Sequence, residues 1–332
     1  MKKTKKGKKK LSSLILLMFI TIVMLSTATY AWFTANQTVT VNSLDVKVEA
    51  RNGLMISTDG FQWKTVITND DITGASTGYY PSAINQIPEI LEAVSSAGQV
   101  ETSGYLGMYS GAITIDNGTG DFLIASSALS ENDGDSGYYI AFDLFLRMDL
   151  GGDVYLTTSS KVKPTSTFAD KGLQNSARVG FLNMGETTAD DTVANIQALN
   201  NEDSNVVYIW EPNYDTHSSF GVAAGLAAGM TLTQTNSAQV EYDGIYAPIV
   251  TPIVLGEANR TDNSDYFAKV TPAVSTKATY SSELLFKKVF TLPAGVTKIR
   301  TYMWIEGQDI DCENNASGTN ITFDLQFSAN SQ

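Results

Sequence analysis

The chain has 332 residues, enough to bury a large core, and it carries 35 acidic side chains against 22 basic ones. Seven of the basic residues are lysines within residues 2–10, so the rest of the chain sets 15 basic against 35 acidic groups, a balance of −20. A body that acidic excludes nucleic acid and anionic lipid as its partners. The single cysteine, Cys312, excludes an intramolecular disulfide and reads as buried and inert.

In chain order, Lys2, Lys3, Lys5, Lys6, Lys8, Lys9 and Lys10 form a cationic head, and residues 14–25 are an apolar run broken only by Thr21. Those 12 residues fit a signal-peptide core and fall short of a membrane span, which needs about 20. Thr29-Tyr30-Ala31 places a small residue before Trp32, so cleavage between Ala31 and Trp32 is the first reading. The second keeps residues 1–31 as a signal or anchor helix. The apolar stretch then continues through Trp32 and Phe33 to about 20 residues, with an aromatic at the outer interface. In both readings only residues 11–33 meet the membrane, and residues 32–332 are exported to the surface or beyond as one domain.

Residues 38–50 alternate. Val39 and Val41 share one face, and Leu44, Val46, Val48 and Ala50 share another, so Asn42-Ser43 must absorb a one-residue slip as a bulge or turn. Asp59-Gly60, between two β-prone runs, predicts a hairpin, because those residues tolerate positive φ. Residues 69–110 are loop-like. Within them residues 88–97 predict a short helix, with Pro88 in its first turn and Gly98 after its end. Strands follow at 111–116 and 121–126, then a polar turn at 131–137.

Residues 138–148 give the clearest strand pattern. Tyr138, Ile140, Phe142, Leu144, Leu146 and Met148 face one way, and Tyr139, Ala141, Asp143, Phe145 and Arg147 the other. Apolar groups on both faces predict a strand inside a sheet. Gly151-Gly152 leads to a strand over 154–162, and further strands are expected at 177–183 and 206–211. Residues 190–200 predict a helix with acidic residues at its start. Residues 219–230, rich in Gly and Ala, read as a loose helix or a packed loop. Three antiparallel strands close the chain at 284–292, 297–306 and 320–328, with Pro293-Ala294-Gly295 as the first turn. The fold class is mainly β: an antiparallel β-sandwich, jelly-roll or Ig-like, with long insertions and one or two short helices.

Chemistry is sparse. A Ser–His–acid triad would have to use His217, the only histidine, which sits in a polar turn and reads as exposed and inert. Glu211, Asp215 and His217 do not match a zinc spacing. Two acidic loops, Asp133-Gly134-Asp135 and residues 306–314, read first as solvated turns. Calcium, bound through Glu306, Asp309, Asp311 and Glu313, is the alternative for the second. Trp32, Trp63, Trp210 and Trp304 read as core before they read as a sugar platform.

The head, the apolar run and Thr29-Tyr30-Ala31-Trp32-Phe33-Thr34 together resemble the export signal of the TasA/camelysin group, over roughly residues 2–50. These are Gram-positive surface and biofilm-matrix proteins processed by a SipW-type signal peptidase. The resemblance implies cleavage before the aromatic pair and a non-enzymatic protein that forms fibres by self-association, its freed N-terminal strand entering a neighbouring subunit. The donor residues would be Val39, Val41, Leu44, Val46 and Val48. Residues 69–110 and 185–283 are long insertions relative to a simple jelly roll. The reading from another class is a surface binding module for glycan or calcium.

Overall fold

In the computed structural model the described residues are 40–120, 122–165, 172–200, 207–214, 216–227, 242–254, 265–270, 273–274, 285–312 and 318–331. The fold is mainly β, and two large sheets carry it. The cleavage pair Ala31 and Trp32, the anchor reading and Val39 lie outside the described residues. Among the described residues no helix is long and apolar enough to cross a membrane.

The first sheet runs in the order Leu285–Leu292, Gly152–Thr157, Thr319–Ser331, Thr40–Arg51, Val66–Ile67, with Leu91–Glu92 added on Thr40–Arg51 and Lys161–Pro164 on Thr319–Ser331. The opening strand, Thr40–Arg51, lies parallel to the closing strand, Thr319–Ser331. An all-antiparallel arrangement is therefore corrected at this pair. The register slips between Val41 and Leu44, where Asn42-Ser43 was expected to bulge. The slip turns the alternation that follows towards the core, and Val46, Val48 and Ala50 are all buried.

The second sheet runs Ala273–Val274, Val207–Glu211, Ala177–Thr187, Gly295–Ile305, Ile140–Met148, Met55–Ser57. Its inner face supplies Phe142, Leu144, Val179, Phe181, Ile299 and Met303 to one core, shared with Val46, Val48, Ile321, Phe323, Leu325 and Phe327 of the first sheet. Phe181 meets Phe327 edge-on across it at 5.6 Å, a favoured aromatic geometry.

The outer face of the second sheet is covered as well, which accounts for the two apolar faces of residues 138–148. Tyr139, Ala141, Leu182, Tyr302 and Trp304 pack there against Val94, Leu106, Met108, Tyr242 and Val270, all from the long insertions. Two smaller sheets stiffen that cover. Met108–Ile115 and Phe122–Leu129 form a hairpin joined by Ile253–Val254, and Tyr242–Ile245 pairs with Phe267–Val270.

Four local expectations are revised. Residues 88–97 are not helical: Leu91–Glu92 pairs with Thr40 and Val41, and Val94 and Ser95 make bridges to Glu306 and Tyr109. Burial of Leu91 and Val94 overrides the local helix signal. The closing strands Leu285–Leu292, Gly295–Ile305 and Thr319–Ser331 do not pair with one another, because the chain changes sheets at each turn. Gly295 makes the first change possible: its φ is +124°, and a Cβ there would sit 2.2 Å from the Thr187 carbonyl oxygen. The Asp59-Gly60 turn is likewise more than a hairpin. Met55–Ser57 joins the second sheet and Val66–Ile67 the first, with one bridge, Ile56 to Lys64, between them. The 131–137 turn is a 3-10 turn, Glu131–Ser136, closed by Gly137 at φ +101°.

The helix expected over 190–200 is present in shorter form, and of the two readings of 219–230 the described part is helical. Val193–Gln197 is capped by Thr192, whose hydroxyl accepts from Asn195 N at 3.2 Å. Ser219–Ala227 is the Gly/Ala-rich one.

Candidate functional site

Of the strand-donor candidates, Val41 and Leu44 are in register with Thr319 and Ile321, Val46 with Phe323 and Val48 with Leu325. Nine residues of the opening strand are paired in this way with the closing strand. The opposite edge is only partly paired. Leu91–Glu92 meets Thr40 and Val41, and Val66–Ile67 meets Val48 and Glu49. Between these, the Val46 amide donates to Asn69 Oδ1 at 2.8 Å. A parallel neighbour cannot be reached by a tight turn. No tight turn therefore joins the opening strand to the closing strand, and the chain leaves the opening strand through Asn52 and Gly53, which take left-handed φ values of 58° and 80°.

The acidic loop after the Gly295–Ile305 strand corrects a second expectation. It is not a solvated turn: Glu306 and Asp311 are fully buried. Arg178, 1% exposed on the neighbouring Ala177–Thr187 strand, organises the cluster. Its Nη2 reaches Glu211 Oε1 at 3.0 Å and Asp309 Oδ2 at 2.6 Å, and its guanidinium lies 5.1 Å from the centre of the Tyr242 ring. His217 is also not the exposed residue expected. Its side chain is 10% exposed, and Nδ1 lies 2.8 Å from Asp311 Oδ2. Asp311 Oδ1 accepts from the Ser218 amide at 2.6 Å. Histidine and carboxylate thus fix the start of Ser219–Ala227 against the acidic loop.

Among the described residues no cation lies within bonding distance of Glu306. Its Oε2 accepts from Trp304 Nε1 at 3.0 Å and from the Ser96 amide at 3.3 Å, and its Oε1 accepts from the Gln308 amide at 3.0 Å. Of the calcium candidates, Asp309, Asp311 and Glu306 are therefore engaged by Arg178, His217 and N–H donors, while Glu313 lies outside the described residues, as does Asp215. Among the described residues no three His, Cys, Asp or Glu side chains are grouped as metal ligands. Trp210 and Trp304 are core residues, and Cys312 is buried.

A second ion cluster was not anticipated. Arg300 is fully buried. Its Nε donates to Glu131 Oε1 at 2.7 Å, Nη1 to Asp143 Oδ1 at 3.1 Å and Nη2 to the Ile84 carbonyl at 2.7 Å. Lys298 Nζ reaches Asp143 Oδ2 at 3.2 Å and lies 5.6 Å from the centre of the Tyr80 ring. Burial pushes the Asp143 pKa up, but Arg300 and Lys298 outweigh it and hold the group below the usual range. The only sequence signal for either cluster is a charge at an alternating position of a strand that is apolar on both sides. The partners are contributed from far along the chain: His217 and Asp311 are 94 residues apart.

The first cluster makes stability depend on pH. Burial raises the Glu211 and Glu306 carboxyls from 4.5 to about 7. Burial works against the His217 imidazolium, but Asp311, Asp309 and Glu211 outweigh it and hold its pKa above 6.5. Between pH 4.5 and about 7 the unfolded chain releases protons from both glutamates while the folded chain keeps them, so stability falls as pH rises. The His217 contribution is complete below 6.5 and is lost as pH rises through its higher folded value. The lowered Asp143 acts in the opposite direction, and its contribution is lost as pH falls below 3.8. The melting temperature is therefore expected to peak near pH 4.5 and to fall by several degrees by pH 8. A scan of thermal unfolding against pH checks this, and His217→Asn should reduce the fall above pH 6.5, leaving the share of Glu211 and Glu306 up to about pH 7. A flat profile between pH 4.5 and 8 contradicts the assignment.

Comparison of the chain with protein-family models, curated proteins and solved structures returned no match.

Proposed function

We propose that the protein is a non-enzymatic structural protein, exported to the cell surface or beyond, whose opening strand can leave its own sheet and enter that of a neighbouring copy, building fibres or a matrix. In this reading the body is a β-sandwich of jelly-roll or Ig type, extended by the insertions that cover its second sheet. Residues 1–31 direct export, and a signal peptidase cuts, or the membrane holds, the junction at Ala31 and Trp32.

The observation that carries the reading is the parallel pairing of the opening strand with the closing strand. A strand held by a hairpin cannot exchange without breaking its turn. This one runs parallel to its partner, so no tight turn joins the two, and it brings Val46 and Val48 into the core just before the Asn52-Gly53 turn. A second copy of the same strand satisfies the same backbone groups and fills the same core positions. The buried charged groups support a structural role too: Arg300 ties its strand to the Ile84 carbonyl, Glu306 to the Ser96 amide and Asp311 to His217 and Ser218, each joining strand or loop to insertion.

The test uses the registered pair Lys47 and Asp324. Their side chains are 47% and 24% exposed, and the native Cys312 is buried. Lys47→Cys and Asp324→Cys are placed in one chain and joined with a short thiol-to-thiol reagent. Exchange between copies is expected to give a ladder of covalently linked oligomers on a denaturing gel. Linkage found only within single chains, at every protein and salt concentration, overturns the reading.

A further inference from the structure

We propose that the cleft between the Asp59-Gly60 turn and residues 70–79 binds the pyranose ring of a neutral polysaccharide. This is a binding site separate from the strand-exchange surface, and it does not rest on the assembly reading.

The cleft has a volume of about 170 Å³ and is lined by Thr58, Asp59, Gln62, Lys64, Asp70 and Tyr79, among others. Tyr79 lines it, 55% exposed, and Phe61, 49% exposed, packs against Tyr79 with ring centres 4.5 Å apart and planes inclined at 46°. Among the described residues the other exposed large apolar side chains make no such ring contact, and a tilted aromatic pair beside a polar cleft is the exception. The turn that presents Phe61 is rigid. Asp59 Oδ1 accepts from the Ser57 hydroxyl at 2.8 Å, the Phe61 amide at 2.8 Å and the Gln62 amide at 2.7 Å. Gly60 stands at φ +68°, and a Cβ on it would lie 2.9 Å from Ile196 Cγ2. Trp63 faces inward and packs against the cluster of Tyr80, Phe145, Ile196 and Val296, under the Arg147 guanidinium. Phe61 is thus held outward by its neighbours.

Tyr79 is fixed from the other side. Gln197 Nε2 donates to the Tyr79 carbonyl at 2.9 Å and to the Asp59 carbonyl at 2.6 Å, so one side chain ties both walls together. Preorganisation of this kind lowers the entropy lost when a ligand binds.

The chemistry of the walls selects the ligand. Aromatic faces take the C–H face of a pyranose, and carboxylate, amide and hydroxyl groups beside them take its hydroxyls. Lys64 is paired with Asp71, which leaves Asp59 and Asp70 to set the sign of the cleft. An anionic polymer is repelled there, as it is by the acidic body as a whole. A neutral sugar meets acceptors for its O–H donors without bringing a charge into the cleft. The exposed aromatic pair therefore serves as the sugar platform, a role that the buried Trp210 and Trp304 do not fill.

Titration calorimetry on the purified full-length chain tests this with three neutral hexasaccharides, of β-1,4-glucose, β-1,3-glucose and β-1,4-N-acetylglucosamine, and with oligogalacturonate as the anionic probe. At least one neutral oligosaccharide is expected to bind with a dissociation constant below about 1 mM. Phe61→Ala and Tyr79→Ala are each expected to weaken it about tenfold or more. Both side chains are exposed, so the melting temperature of each variant should stay within about 2 °C of the parent. No binding of any neutral probe, binding of oligogalacturonate alone, or binding that both alanine variants leave unchanged overturns the proposal.

Discussion

Replacing Arg300 by methionine is expected to cost about 3–5 kcal/mol of folding free energy, a large part of the roughly 5–15 kcal/mol that holds a domain together. Arg300 has no exposure, and it bonds two acidic side chains and a carbonyl at once. Removal leaves Asp143 with Lys298 and the Tyr80 hydroxyl, but among the described residues leaves the Glu131 carboxylate with only the Tyr302 hydroxyl. A carboxylate in that position either stays charged without a partner or takes up a proton. Burial already raises its pKa against the pull of Arg300, so protonation is the route expected. Pairing Arg300→Met with Glu131→Gln in one chain should recover part of the loss, because the uncompensated charge is gone. Arg300→Lys should recover little, since one ammonium group cannot reproduce the fork that reaches Glu131, Asp143 and Ile84. Urea unfolding at pH 7 of the four proteins measures all three effects. A single-variant loss below about 1 kcal/mol would show that the second cluster does not secure the insertion to the sheet.

How much of this was legible in the sequence follows from the range of each interaction. The one-residue slip at Asn42-Ser43 was readable because two registers of alternating apolar residues cannot occupy one face without a bulge. The interior strand Ile140–Met148 was readable because both of its faces are apolar. The arrangement of strands in sheets was not readable. Pro293-Ala294-Gly295 looks like a hairpin turn, but it links Leu285–Leu292 in one sheet to Gly295–Ile305 in the other, and what decides this is a close approach to the Thr187 carbonyl more than 100 residues upstream. The helix expected over 88–97 failed for the same kind of reason. Propensity is worth tenths of a kcal/mol per residue, whereas burying Leu91 and Val94 is worth roughly 2 kcal/mol each.

The buried clusters were the least legible feature. Nothing in the sequence singles out Arg178, Lys298 or Arg300, and it presents Asp143 only as one face of a strand, Glu211 only beside Asp215 and His217, and Glu306 only in a solvated or calcium-binding loop, because nothing local marks a charge as buried. The insertions supply the cover and several of the partners. Residues 69–110 bring Tyr80, the Ile84 carbonyl and the Ser96 amide, and residues 212–227 bring His217 and Ser218. What appeared in the sequence as loops departing from a simple jelly roll is the second layer of the molecule's core.

Loss of the opening strand should have a larger effect than any side-chain change. A chain that begins at residue 52 is expected not to fold. It lacks the burial of Val46 and Val48, worth roughly 1.5–3 kcal/mol each, and exposes the backbone edge of the closing strand along the nine positions where the opening strand is in register. At about 1 kcal/mol net for each backbone hydrogen bond, the combined loss exceeds what a domain of this kind holds in reserve. A peptide of residues 38–51 added to the shortened chain should restore the cooperative unfolding transition, because no turn has to be rebuilt to seat a parallel strand. The same peptide with Val46→Asp and Val48→Asp should not, since it would place two carboxylates in the core shared by both sheets. Circular dichroism and thermal unfolding of the mixtures read the result. Restoration by the native peptide shows that the strand can be supplied from outside its own chain, which is the step that assembly by exchange requires. A shortened chain that folds without peptide would show that the first sheet does not need the strand, and exchange would then have no energy to drive it.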